Sequence, residues 1–290
     1  MLDVQFVTDS WAHFPKDVQL SSSVTILPNT LTIGGRIYHE GVDLHADEII
    51  SLLNREKSVP SIQAPSPTEF AQAYLRASRA ASAIVSIHPS REISPSFDHG
   101  RAAAQQLAGR CPVILIDSRS LSAGQGLLVQ IGIQTVFNGA SLEDVERTLR
   151  GAIDRLYFVF CVETTDHLLH HQLIEPGHAL MCAMLGLRPV LTIENGRIAV
   201  MEKVRTRAQA IERLAEFAVE FDQIESAILL QPRSAFSDLT RMLQERLALE
   251  FGGSQFPYMA YGPSLAALVG ADAIGLVVLE RETARIDNVL

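Results

Sequence analysis

The chain has 290 residues, of which 47% are hydrophobic and 20% charged. That is the balance of a soluble globular protein with one large domain or two ordinary ones, and it excludes a disordered or fibrous chain. Its 33 acidic residues outnumber 24 basic ones, for a net charge of −9, which argues against a general nucleic-acid binder, since that needs a cationic face to displace counterions. No run approaches the ~18 apolar residues of a transmembrane helix, so no stable membrane insertion is expected.

The opening MLDVQFVTDS has no basic n-region or long apolar segment and is not expected to be a signal peptide. Val4–Val7 reads as a short apolar strand ending in Thr8-Asp9-Ser10. Ser23–Leu27 and Thr30–Ile33 read as strands, with Gly34-Gly35 as a turn. Asp47–Arg55 is helical, carrying Ile49, Ile50, Leu52 and Leu53. Ser66-Pro67-Thr68-Glu69 starts another helix, with Ser66 as N-cap, Pro67 at N1 and Glu69 at N3 of a capping box. Ala83–Ile87 is a strand, and Ser94-Pro95 opens a helix that runs to about Leu107. Pro112–Ile116 is a strand ending in Asp117-Ser118. Helices follow at Ser122–Phe137 and, capped by Ser141 with Asp144 at N3, at Leu142–Leu156. Strands separated by helices of this length imply a parallel sheet covered on both faces. The endings Asp9-Ser10, His88–Ser90 and Asp117-Ser118 mark a candidate site rim, because ligands sit outside the carboxyl ends of such strands.

The second half differs. Tyr157–Val162 is a strand, a histidine-rich segment spans Thr164–Gly177, and His178–Leu185 is an apolar helix. Pro189–Ile193 and Ile198–Val204 flank Glu194-Asn195-Gly196, where Asn-Gly signals a tight hairpin. Arg205–Phe221 and Ala235–Leu247 are helices; Ser226–Leu230, Tyr258–Tyr261 and Ala273–Leu279 are strands. A hairpin among helices suggests a mixed sheet, so two α/β domains are expected, 1–156 and 157–290.

Motifs of nucleotide chemistry are missing. Gly124-Gln125-Gly126 lies inside a helical pattern without a third glycine, and GxxxxGK[ST], HExxH and GxSxG are absent. His167, His170 and His171 form H-x-x-H-H, with His178 seven residues on. His167 and His171 share a helical face at a spacing that suits zinc. Glu163, Asp166 and Glu175 are near, but no carboxylate completes an obvious triad; no metal is expected, and the segment reads as a polar loop or interface. The cysteines Cys111, Cys161 and Cys182 form no CxxC pair, so neither a disulfide framework nor a cysteine zinc site is expected, and the expected compartment is the reducing cytosol. Ser90, Ser94 and Ser96 cluster in HPSREISPSF. With Ser94 as N-cap and Pro95 at N1, the outward amides and the helix dipole make an anion site. Simple capping accounts for the same serines equally well.

Several segments in order then resemble the DegV family. These are VTDS (Val7–Ser10), GGRIYHEGVDL (Gly34–Leu44), PSIQAPSPTEF (Pro60–Phe70), REISPSF, IDSRSLSAGQG (Ile116–Gly126), KVRTRAQA (Lys203–Ala210) and YGPSLAALVGADAIGL (Tyr261–Leu276). The resemblance implies a two-domain DegV fold, with a parallel-sheet N-terminal domain and a mixed-sheet α/β C-terminal domain. It implies one fatty acid buried between them, with no cofactor. The protein is then a carrier that presents the acyl carboxylate to a separate fatty acid kinase catalytic subunit.

An ungapped match puts Ile62 where the family has a carboxylate-binding threonine, and Gln63 where it has the next serine. The family's Leu-Ser-Gly-Thr serine falls on Ser94; its glycine becomes Pro95 and its threonine Ser96. Its Gly-Gly-Arg falls at His171-Gln172-Leu173, so the arginine linked to phosphate transfer is replaced. The closing histidine falls at Leu268, and the following Gly-Pro-Gly at Gly270-Ala271-Asp272. Expected ligand-binding positions are therefore Ile62, Gln63, Ser90, Ser94, Ser96, His171 and Leu268, with His171 able to bring a shiftable positive charge. The alternative is an enzyme acting on a small anionic substrate through Ser94, Asp9 and the His167–His171 cluster. For a serine nucleophile this needs a base within reach of the hydroxyl, and no local motif supplies one.

Overall fold

A computed structural model describes residues 3–15, 18, 22–56, 58–107 and 109–282. The opening Met1-Leu2 and the close 283–290 lie outside them. In chain order the elements are β1 (Val4–Asp9), β2 (Val24–Leu27), β3 (Thr30–Ile33), β4 (Arg36–His39), α1 (Ala46–Glu56), β5 (Ser61–Gln63), α2 (Pro67–Ala77), β6 (Ala83–His88), α3 (Ser96–Gln105), β7 (Val113–Asp117), α4 (Ala123–Phe137) and α5 (Leu142–Ile153). They continue as β8 (Leu156–Cys161), α6 (Asp166–His170), α7 (Pro176–Leu185), β9 (Arg188–Glu194), β10 (Arg197–Val204), α8 (Arg207–Val219), β11 (Ile224–Gln231), α9 (Asp238–Glu250), β12 (Tyr258–Ala260), α10 (Pro263–Val269) and β13 (Ile274–Glu280).

Three sheets result. A parallel sheet runs β2-β1-β6-β7, a mixed sheet runs β10-β9-β8-β13-β11-β12, and a small antiparallel sheet runs β4-β3-β5. The two larger sheets match the expected fold class. The small sheet is new: β4 and β5 are short, and four- and three-residue runs carry almost no periodicity.

Alternation explains the layers. In β1, Phe6 faces one core and Val7 another; in β6, Val85 and Ile87 oppose Ile84. Phe70, Ala73 and Tyr74 of α2 and Ala103 of α3 cover the Val7–Ile84 face. In the mixed sheet, Val159, Leu229, Leu276 and Val278 pack on α8 and α9. Phe158, Phe160, Leu230 and Val277 look the other way, into the same core as Phe6 and Val85. One continuous apolar core therefore lies between the two large sheets, and α4 sits in it.

That position explains the composition of α4. It is buried without a break from Ala123 to Val129, as a helix with sheets on both sides must be. Its glycines serve close packing: a Cβ at Gly126 would stand 2.0 Å from the His13 carbonyl oxygen, and one at Gly132 2.7 Å from Phe6 Cε1.

Several boundaries move. The helix expected from Ser94 starts at Ser96, with Pro95 in the N-cap position at φ −75°, ψ 1°. Ser122 is not a helix residue but a strained junction at φ 54°, ψ −126°. The helix expected to reach Leu156 ends at Ile153, because β8 begins at once and joins the mixed sheet. The apolar helix starts at Pro176 rather than His178. The glycine-rich close contains α10, whose seven residues are all buried.

Candidate functional site

Asp9, His88 and Asp117 end neighbouring parallel strands, as their register requires. The expected rim exists, but the crevice at Asp9 and His88 is filled. His88 Nδ1 lies 3.5 Å from Asp9 Oδ2, both side chains being fully buried. His88 Nε2 meets Ser86 Oγ at 2.9 Å, and the Tyr74 hydroxyl donates to Ser86 Oγ at 2.8 Å. Burial pushes the Tyr74 phenol up, so it stays a donor. From α4, Gln125 Nε2 donates to Thr8 Oγ1 at 2.9 Å and to Asp9 Oδ1 at 3.2 Å. Asp9, His88 and Ser86 follow each other as in a hydrolytic triad. Yet Phe70 stacks edge-on to His88 at 5.0 Å, and a Cβ on Gly100 would touch His88 Nε2 at 2.8 Å. No substrate reaches Ser86 in this packing. The chain of bonds ties β1, β6, α2 and α4 together.

The serine cluster lies in the loop between β6 and α3. Ser94 Oγ and Ser96 Oγ share a hydrogen bond at 3.1 Å, and Ser96 N–H donates to Ser94 Oγ at 3.4 Å. Ser94 is therefore not the N-cap: that position is Pro95, which has no side-chain cap, and Ser94 accepts from the first helical amide from one residue earlier. The Ser94 hydroxyl bonds to Ser96, and Asp9 accepts from Trp11 N and Gln125 Nε2 and faces His88. The arrangement expected of a serine enzyme, Ser94 beside Asp9 or a histidine, is not formed. Ser90 is fully buried and turns away from the pair, donating from Oγ to the Gly196 carbonyl at 2.6 Å.

A second group forms where β5, α10 and the end of α6 meet. Ile62 is partly buried against the central core and Leu268 lies fully inside it. Gln63, which follows Ile62 on the three-residue β5, is exposed. His171, at the C-cap of α6, is partly buried, and its Nε2 is buried without a hydrogen-bond partner. Burial above all, with His170 and His167 nearby, depresses its pKa to about 4, against the pull of the Pro60 and Ala267 carbonyls. At neutral pH His171 is therefore a neutral imidazole, and the positive charge expected of it is absent. The neighbouring His167 Nδ1 donates to the Ala267 carbonyl at 2.8 Å. Among the described residues no group of three His, Cys, Asp or Glu side chains is arranged to hold a metal ion.

Beside the serine loop runs a groove of about 680 Å³. Its apolar lining includes Ile93, Leu173, Ile174, Ile198 and Val200, and its rim carries Glu92, Glu175 and Arg197. Ile93 precedes Ser94, and Leu173 follows His171 by two residues, so the groove adjoins both groups. None of the seven expected residues lines it directly. Its β10 wall escaped sequence reasoning: the Asn195-Gly196 turn was legible, but where its tip lands is a long-range fact. Sequence reasoning also passed over the buried Glu40, which accepts from Ser10 Oγ at 2.8 Å and Ser264 N at 3.0 Å and faces His13 Nε2 at 3.6 Å. It ties the end of β4 to β1 and α10.

Comparison with known proteins gives this architecture a family. Residues 3–281 match the profile described as "Uncharacterised protein, DegV family". The chain belongs to the DegV family. A DegV domain-containing protein of Deinococcus radiodurans is 31% identical over 215 residues, 74% of this chain and 76% of that one. One of Streptomyces coelicolor is 28% identical over 280 residues, 96% and 99% of the two chains. Among solved structures, the fatty acid binding DegV family protein of Streptococcus agalactiae superposes with a TM-score of 0.88 at 22% identity, over 97% of this chain and 100% of that one. The fatty acid binding DegV family protein of Thermus thermophilus gives 0.85 at 25% identity with the same coverage. The fatty acid kinase B3 protein of Streptococcus pneumoniae, loaded with linoleic acid, gives 0.84 at 15% identity, again over 97% and 100% of the two chains.

Proposed function

We propose that this DegV chain binds one long-chain fatty acid, or a similar single-chain lipid, as a non-enzymatic carrier in the cytoplasm. The head group lies at the Ser94–Ser96 loop and the tail runs over the apolar groove. The ligand lies between two units, residues 1–156 and 157–290, and no cofactor takes part. A fatty acid kinase catalytic subunit is the partner to which the head group is presented.

The observation that carries this reading is the groove: about 680 Å³, within the size range of ligand sites, with an apolar lining that includes Ile93, the residue before Ser94. Burying an acyl chain is worth about 0.8 kcal/mol per CH₂, so a dozen methylenes reach ~10 kcal/mol before association costs. A few hydrogen bonds to the head add about 1–3 kcal/mol. Tail burial thus dominates, and apolar side chains at Ile62 and Leu268 are compatible with lipid binding. Organic extraction of the purified protein, followed by mass spectrometry, should give about one acyl chain per protein chain. Failure both to find a lipid and to load one defeats the reading.

A further inference from the structure

The groove wall formed by Arg197–Val200 belongs to β10, the edge strand of the mixed sheet, paired there with β9 alone. An edge strand has one side without ladder bonds. The β9–β10 pairing also shifts register between Val200 and Glu202, and such a bulge is where a strand bends. Beyond the bulge, the hairpin tip is seated on the β6–α3 loop. Ser90 Oγ donates to the Gly196 carbonyl at 2.6 Å, and Arg197 pairs with Glu92 at 2.7 Å. The seat is close: a Cβ on Gly196, whose φ is +84°, would stand 2.5 Å from Ser90 Oγ.

Ser90 also builds the loop. Its carbonyl accepts from Ile93 N at 3.0 Å and Ser94 N at 2.9 Å, while its own N–H donates to the Ser120 carbonyl at 2.8 Å. One residue therefore grips the hairpin with its side chain and sets the place of Ser94 with its backbone. Ile93 on the loop and Ile198 and Val200 on the hairpin pack against the same central core. A lipid tail in the groove lies against both elements, so its entry and exit are easiest when the two part.

Resting on the lipid reading above, we propose that the tip half of the β9–β10 hairpin is the gate of the groove, and that Ser90 is the positioning residue that couples its closure to the Ser94–Ser96 loop. Opening breaks one buried hydrogen bond and one exposed ion pair. The first is worth about tenfold in the ratio of closed to open forms, the second less.

Stopped-flow fluorescence with cis-parinaric acid on the full chain tests this. Ser90→Ala, which keeps the backbone bonds to Ile93 and Ser94 but loses both the Gly196 bond and the Glu92 N–H bond to Ser90 Oγ at 3.2 Å, should raise the association and dissociation rates together, by about tenfold. Arg197→Ala should raise both by about threefold. A side chain that only touches the ligand changes mainly the dissociation rate, so a parallel rise marks a gate. Linking Glu92→Cys to Arg197→Cys with a short bismaleimide should slow both rates by about tenfold or more. This bridge decides the matter where Ser90→Ala does not fold. Rates that ignore both the deletions and the bridge, in a chain that still binds the probe, overturn the gate and leave the lipid reading standing. A wild-type chain that binds no parinaric acid overturns the lipid reading and the gate with it.

Discussion

The Ser94 and Ser96 hydroxyls share one hydrogen bond at 3.1 Å, which uses one of their two O–H groups as donor. On the lipid reading, the other O–H is the donor offered to the head group. Ser94→Ala should weaken fatty-acid binding by about 1–2 kcal/mol, the usual cost of a hydrogen bond to a charged group. Titration calorimetry reads it directly, and unchanged affinity in a folded variant places the head elsewhere. His171 makes a different prediction. Its folded pKa of about 4 lies below the roughly 6.5 of an unfolded imidazole. Between those values the unfolded chain binds the proton and the folded chain does not. Its contribution to stability is therefore complete above about pH 6.5 and is lost as pH falls toward 4. Urea unfolding at pH 7 and pH 5 should show a smaller loss for His171→Asn than for the wild type. Equal losses would mean that another group governs the acid side.

At the scale of elements, α4 shows what a sequence does and does not reveal. Its apolar run marked a helix, and that pattern with no third glycine excluded a fingerprint loop for Gly124-Gln125-Gly126. The reason for Gly126 lies outside the segment, in a loop that passes across the helix at His13, whereas a Cβ at Gly124 would meet the Ser120 and Leu156 side chains. Gly126→Ala should cost about 1–3 kcal/mol or more, since a Cβ would stand 2.0 Å from a backbone oxygen. Gly151 in α5 is the control: nothing lies within 4 Å of a Cβ there, and Gly151→Ala should stabilise by about 0.5–1 kcal/mol. Denaturant midpoints of opposite sign check both. Capping was legible for the opposite reason. Ser66–Glu69 and Ser141–Asp144 form the expected boxes, because every atom involved lies within four residues. Elements shorter than two turns, such as β5, α6 and α10, take their shape from the neighbours they pack on, so sequence periodicity could not define them.

For the whole molecule, the ordered segments carried the family and the fold. The site divided along a physical line: local chemistry at Ser94 and Ser96 was readable, while tertiary placement turned Ser90 toward the hairpin and left His171 uncharged. That placement bears on phosphoryl transfer. A transferring phosphoryl group needs fixed positive charge facing it. Arginine supplies a permanent charge in a planar fork; leucine supplies neither. Here Leu173 lines the groove and packs on the central core, and the rim beside it carries Glu92 and Glu175. The rim's Arg197 is already paired with Glu92 at 2.7 Å. A fatty acid held here thus meets an approaching phosphate with two carboxylates, an arginine already paired, and His178, which also lines the groove. Mixed with a fatty acid kinase catalytic subunit, ATP and fatty acid, this chain should form acyl phosphate more slowly than a carrier with the Gly-Gly-Arg segment. The comparison requires equal lipid loading at neutral pH. Leu173→Arg should raise the rate by about tenfold or more, the scale of one well-placed charge in phosphoryl transfer. Lowering the pH toward 5 should draw little charge from His171, which is still mostly neutral there. Wild-type turnover equal to that of the motif-complete carrier would show that the missing arginine is not needed here, and that the kinase subunit supplies the charge itself.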